Sequence, residues 1–442
     1  MNRDKNLNKK TENLTDSAWQ QLFDKYDILE KIKNDGIYHI TANEIKEFRE
    51  PRLMAKWDSS EQLPKIFKKN KINILPNSRK SYILGEFQLY EPLPSLEEHV
   101  QTMPKVVLPQ LETVDIDNIS SEANAINVLQ ISGILEDFLG LEVGEDLYAT
   151  FNGRMKSGEF SFHVDTFQGD TQTIHVNNAQ VEIDGGFESE HYVTILEAKN
   201  VIHEDFHIRQ LYYPFRLWEN KVKKPVKLIF SVYSNKIFRL MEYVFVQTDN
   251  YSSIKLIKTR NYSLENTDIS IDELKRAFDS VTNIIDDNQN ISDVPFIQAD
   301  NFDRIVSLLE NMYMNNMTAD EIENLMQFTS RQRDYYFNAG RYLGLFEKYK
   351  EDELRYYRLT DLGKKIYKLN YKDRQLKLVE LILSHKIFRD SFEFVLQHGE
   401  FPDIEFIKEL AQNYNVCSPN LVYRRSQSVL SWIKWIFNLQ KL

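Results

Sequence analysis

The sequence predicts a mixed α/β core, preceded by a small α+β domain and followed by mostly helical modules in a winged-helix-like order. Three observations carry this. Between about residues 105 and 265, short strand-like runs alternate with helical patterns. From Phe302 onward the pattern turns helical: helix, helix, helix, then a charged hairpin. Charge is also segregated, with 14 acids against 3 bases in residues 265–327 and 12 bases against 7 acids in residues 331–374. At 442 residues the chain has room for several cores. A net charge of −11 speaks against a uniformly basic nucleic-acid binder, but the segregation leaves room for a local phosphate-facing surface.

In chain order, residues 1–15 are polar and expected to be disordered. Residues 16–92 form an accessory domain: a helix from Ala18, then Thr41-Ala42-Asn43-Glu44 as a capping box opening another, then strands at 73–76 and 82–85. Pro92, Pro94, Pro104 and Pro109 mark a linker into the core at 105–265. Residues 120–139 read as one largely buried helix capped by Ser120 or Ser121. Glu122 in its first turn serves either the helix dipole or a metal site. Strands follow at 160–165, 181–185 and 194–199, then a helix at 204–218, a strand at 227–233 and an apolar stretch at 238–247.

Residues 295–370 form the winged-helix-like domain, with helices at 302–314, 318–327 and 330–343 and a hairpin of 345–350 and 353–360. Arg331 and Arg333 stand at the end of the third helix that would enter a major groove. A last module, 371–442, is helix-turn-helix-like. Trp432 and Trp435 pack its core, and Arg424 and Arg425 are candidate phosphate or guanine contacts. The single cysteine, Cys417, excludes an internal disulfide and a cysteine-built zinc site. No apolar run reaches membrane-spanning length and the N-terminus lacks a signal-peptide core, so a cytoplasmic protein without membrane attachment is expected.

The chemistry concentrates in Val181-Glu182-Ile183-Asp184-Gly185 and Thr194-Ile195-Leu196-Glu197-Ala198-Lys199. Side chains alternate on a strand, so Glu197 and Lys199 project together, as do Glu182 and Asp184. Paired strands would gather these groups where carboxylates bind Mg²⁺ through hard oxygens, and the amine would orient a water or balance phosphate charge. A competing string follows, His203-Glu204-Asp205-Phe206-His207. On a helix it would be the zinc-peptidase pattern, with Glu204 as general base. No third ligand is recognisable downstream.

Several further stretches join these motifs: Arg52-Leu53-Met54-Ala55-Lys56-Trp57-Asp58, Ser121-Glu122-Ala123-Asn124, Gly153-Arg154-Met155, Ile208-Arg209-Gln210-Leu211-Tyr212-Tyr213-Pro214, Val294-Pro295-Phe296-Ile297 and Arg424-Arg425. Together the chain resembles type II restriction endonucleases of the PD-(D/E)xK superfamily over nearly its whole length. The resemblance implies an α/β nuclease core of mixed sheet flanked by helices. It implies that Asp184 and Glu197 bind Mg²⁺, that Lys199 assists the water, and that Glu122 and Gln210 are supporting members, Glu122 as a further metal carboxylate. It implies DNA contact through Arg52 and Lys56 as well as Arg331, Arg333, Arg424 and Arg425. Double-stranded DNA is then the substrate, with a cognate methyltransferase protecting self-DNA and a homodimer cutting two strands. Ile183 stands where the family's eponymous motif has proline. A DNA-binding regulator with a silent core and a zinc peptidase are the readings from other classes.

Overall fold

The computed structural model describes residues 14–94, 100–102, 111–116, 118–290, 294–351 and 354–440. Most of the expected disordered tail, parts of the proline-marked linker and the tip of the hairpin lie outside them. The first helix, Leu14–Tyr26, begins inside the expected tail and buries Trp19, Leu22 and Phe23. These residues pack with Trp57, Phe67 and Leu84 into a core of their own. The strands Ile37–Thr41, Ser81–Gly85 and Asn73–Pro76 form a three-stranded antiparallel sheet beside it. Thr41 and Glu44 make the expected capping box.

The centre is a seven-stranded mixed sheet in the order Val100–Thr102, Ile254–Ser263, Ile237–Phe245, Val226–Ser234, Val193–Lys199, Gln180–Glu188 and Tyr148–Lys156. Val193–Lys199 runs parallel to Val226–Ser234, and the Arg209–Glu219 helix crosses between them. Every residue of Val193–Lys199 is buried because both sheet faces are covered. Ile195 packs on the face that holds Leu211 and Tyr212; Leu196 and Ala198 pack on the other, against Ile126 and Leu129.

Two helical expectations change. Residues 120–139 form two helices, Glu122–Ile131 and Ile134–Leu139, because Gly133 adopts a left-handed conformation (φ 73°) between them. Residues 204–218 are not one helix either. Asp205–His207 is a strand paired with Tyr90–Pro92, and the helix starts only at Arg209. The Asp205 carboxylate accepts from Ser59 Oγ (2.7 Å) and the Ser60 amide (2.9 Å), which holds the segment extended.

C-terminally, helices Phe302–Met314, Ala319–Met326 and Ser330–Tyr342 precede the hairpin Phe346–Glu351 and Leu354–Leu359, and Met317–Thr318 adds a third strand. Leu308 and Phe337 before residue 371 and Leu378 and Trp432 after it belong to one hydrophobic cluster, which also reaches Val201 and Ile237 beside the sheet. Among the described residues no helix is long and apolar enough to cross a membrane.

Candidate active site

The site is built where two strands part. Val193–Lys199 pairs with Gln180–Glu188 through Thr194–Phe187, Ile195–Gly186 and Leu196–Gly185, and there the ladder stops. Beyond it Ile183 and Glu182 pair only with Gly153 and Arg154 on the other side. At this fork the Asp184 carboxylate takes the place of the missing ladder partner: Oδ2 accepts from the Ala198 amide at 3.0 Å. The two following glycines allow the close approach. A Cβ on Gly186 would lie 2.3 Å from the Phe151 ring.

Strand alternation sets the rest. Glu197 and Lys199 share a face, and Lys199 Nζ donates to Glu197 Oε1 at 2.6 Å. Gln210, in the first turn of the crossing helix, donates to the same oxygen at 2.5 Å. Glu182 goes elsewhere: it is exposed and pairs with Arg154 at 3.3 Å rather than sharing the patch with Asp184. Glu122, half-buried at the start of its helix, lies in the field of Lys199 and Asp184.

A further acid, given no role in the sequence reading, is present. Asp58, in the stretch before the Ser60–Gln62 turn of the N-terminal domain, interacts electrostatically with Lys199, Lys56, Arg209 and His203. It closes the Arg52–Asp58 stretch, but no spacing rule links that stretch to Glu197 and Lys199, because it comes from a different domain.

The electrostatics follow from four carboxylates crowding one buried ammonium. Burial pushes Glu197 up to about 8, with Asp184 and Asp58 adding to the effect and Lys199 opposing it. Burial would lower Lys199, but Glu197, Asp58, Glu122 and Asp184 more than reverse this, so it is held firmly as an ammonium. Burial raises Glu122 as well. For Asp58 burial is again the largest effect, yet the surrounding cations hold it below its usual value. Lys199 is therefore a fixed positive charge rather than a base.

The donor set suits a hard cation. Asp184 Oδ1, Glu197 Oε2 and both oxygens of Asp58 accept no hydrogen bond from the described residues. Mg²⁺ needs only one or two carboxylates, its other positions going to water and phosphate. No three His, Cys, Asp or Glu side chains among the described residues already converge as a ligand cage. The carboxylates are gathered, not preassembled.

The competing zinc pattern does not form. His203 lies in a loop and His207 on a strand, so the i, i+4 helical face is absent. Glu204 is largely exposed and pairs with Arg304 at 3.3 Å. His207 Nδ1 accepts from the Arg209 amide at 3.2 Å.

The expected DNA-contacting residues separate into two kinds. Arg52 and Lys56 are exposed, and Lys56 lies near Asp58 and Glu122. Arg331 and Arg424 are exposed and both lie over the Tyr335 ring, at 5.2 and 5.3 Å. Arg333 is committed to Glu323 (2.5 Å) and Asp334 (2.9 Å). Arg425 is buried and donates to the Ile297 carbonyl at 2.7 Å, which makes it a structural residue rather than a DNA-facing one.

Three family models match the chain, each described as a domain of unknown function: DUF6996 over residues 16–84, DUF6997 over 85–263 and DUF7226 over 304–441. Asp184, Glu197 and Lys199 fall in the second and Asp58 in the first, while the third spans both helical modules. Comparison with curated proteins and with solved structures gave no match.

Proposed function

We propose that the chain is a Mg²⁺-dependent type II site-specific endonuclease of double-stranded DNA, with a PD-(D/E)xK-like core and winged-helix-like DNA-reading modules. It would act in a restriction–modification system beside a cognate methyltransferase. The observation that carries this is the strand fork. Asp184 and Glu197 come together on adjacent strands, with Lys199 and Gln210 both bonded to one oxygen of Glu197.

The chain's own groups divide the work. Lys199 and Gln210 occupy Glu197 Oε1 and so orient the carboxylate with Oε2 open. The Ala198 amide does the same for Asp184, leaving Oδ1 open. These two oxygens are the ones that would hold Mg²⁺, with Glu122 nearby. When bound, the ion supplies an activated water and neutralises charge on the phosphate. The Lys199 ammonium, fixed in charge, orients a water or balances the phosphate. Arg331 and Arg424, bracketing Tyr335, face the duplex from the helical modules. Cutting both strands calls for two such centres, hence a homodimer.

The test is incubation of the purified protein with unmethylated phage-sized DNA, with Mg²⁺ and with EDTA. Discrete Mg²⁺-dependent fragments, lost in Glu197→Ala and kept in Glu204→Ala, are the expected result. Absence of cleavage on DNA from several unmethylated sources overturns the proposal in favour of a DNA-binding regulator.

A further inference from the structure

We propose that a cavity between the sheet core and the helical modules, floored by Tyr233 and Asn200, binds a nucleobase-bearing small molecule, a nucleoside or nucleoside monophosphate. The site is separate from the catalytic carboxylates and does not depend on the nuclease reading.

The cavity encloses about 200 Å³ and is walled from both sides of the domain boundary. Tyr233 and Lys236 come from the end of the Val226–Ser234 strand and the turn after it, and Asn200 directly follows Lys199. Glu310, Asn311 and Arg374 come from the helices opposite. Part of this wall is spent on itself. One oxygen of Glu310 accepts from Arg374 at 2.7 Å, and the other accepts from Ser234 Oγ at 2.9 Å and the Asn235 amide at 2.8 Å. Asn235 Oδ1 accepts from Gln375 at 2.8 Å, so the turn is pinned to the helices.

Other groups of the wall are left open. Tyr233 is only 8% exposed, and its ring packs against Phe238 at 4.6 Å. Its hydroxyl lies among Glu310, Arg374 and Tyr367, yet it bonds to none of the described residues. The Asn200 carboxamide also has no hydrogen bond from them; only its main-chain carbonyl is used, by Asn311 Nδ2 at 3.3 Å. Lys236 Nζ pairs with Glu265 alone among the described residues, leaving further N–H donors for an anionic group. A buried phenol held by packing at its ring, with no partner at its hydroxyl, faces a ligand, because buried polar groups are otherwise paired. For a mere packing gap phenylalanine would serve.

The open groups define the chemistry. A carboxamide sets a donor beside an acceptor, which matches the paired edge of a nucleobase, and a phenol can take either role. Met314, Met317 and Leu325 supply apolar walls that adapt to a flat ring. A cavity of about 150 Å³ holds benzene, so this one has room for a heterocycle. Lys236 stands where a phosphate would lie beside it. An occupant would tie the core to the helical modules at the end of the strand that carries Lys199, a common place for a ligand site.

The experiment is calorimetry on the full chain with adenosine, guanosine, cytidine and thymidine, their monophosphates, and inorganic phosphate alone. Wild type, Tyr233→Phe and Asn200→Ala are compared. At least one base is expected to bind at one site per chain, with affinity lowered about 10-fold in each variant. The unliganded Tyr233→Phe chain should melt at or above wild type, since the lost hydroxyl had no protein partner. No binding to wild type at millimolar concentration means that the cavity holds water only, and the inference falls. Phosphate binding as tightly as the monophosphates marks an anion site and overturns the nucleobase assignment. Wild-type affinity in both variants places the ligand elsewhere and overturns it too. If Tyr233→Phe does not fold, Asn200→Ala decides by the same criteria. Each of these failures leaves the nuclease reading standing.

Discussion

Two neighbouring stretches, Val193–Lys199 and residues 203–207, each carry ionisable side chains at a motif spacing and meet opposite fates. In the first, the acid and the amine meet because a strand alternates its side chains, which a few consecutive residues decide by themselves. In the second, the two histidines share a face only if the backbone is helical, and it is not. Ser59 and Ser60 capture Asp205, Tyr90–Pro92 pairs with the segment, and the histidines become buried neutral groups. A motif on a strand tests itself locally, whereas a motif on a helix needs the tertiary structure to grant the helix.

The largest expected effect sets these stretches directly against each other. Glu197→Ala should lower Mg²⁺-dependent cleavage by more than about 100-fold, the upper range for changes around a metal site, and Glu204→Ala should leave it within about twofold because that side chain is mostly solvent-exposed. Gel assays of DNA cleavage decide it; equal losses in the two variants would erase the contrast.

Next comes the junction that keeps residues 203–207 extended. Arg304 is fully buried, pairs with Glu61 at 2.6 Å and lies over the Phe328 ring at 4.5 Å. Arg304→Met should destabilise the chain by about 3–5 kcal/mol, since it leaves the buried Glu61 carboxylate without its cation. Adding Glu61→Leu should recover most of the loss. Urea denaturation of single and double variants measures both. If the single change costs nothing, the junction contributes little to domain docking.

The histidines give a pH signature opposite to that of metal ligation. Burial, with Arg304 and Lys199, pushes His203 down to about 4, and burial with Arg209 pushes His207 down to about 3. Both are neutral in either state above about pH 7, so they add no slope there. Below the unfolded value of about 6.5 the unfolded chain takes up protons that the folded chain refuses. The histidines' contribution to stability then falls as pH drops from about 6.5 toward 4, by roughly 3 kcal/mol each, while buried Glu197, raised to about 8, contributes the opposite slope. Denaturation midpoints of wild type and His203→Asn across this range isolate this contribution: the variant should lose less stability than wild type as pH falls from about 6.5 toward 4. An unchanged slope in that variant would mean His203 protonates without penalty.

The smallest effects extend the contrast to the helical modules. Arg331→Ala and Arg424→Ala should each weaken DNA binding at every sequence and reduce the salt dependence by about one unit of slope. Arg425→Ala should leave that slope unchanged and lower stability instead, because its guanidinium serves the Ile297 carbonyl. Fluorescence anisotropy over a salt series separates the two outcomes.

Much of the fold was legible in the chain. The capping box at Thr41, the motif strands, the helix–helix–helix–hairpin order and the Glu197–Lys199 pair all rest on contacts within a few residues, which local sequence controls. One miss was local: Gly133, left-handed, splits one expected helix. What the chain alone could not fix are choices made by distant partners. Asp205 is drawn into a strand by serines of another domain. Arg425 turns inward to a carbonyl, and Asp58 arrives at the site from the N-terminal domain. The reason is the same for Asp205, Arg425 and Asp58. Burial obliges every polar group to find a partner, and which partner lies in reach depends on how separate domains dock.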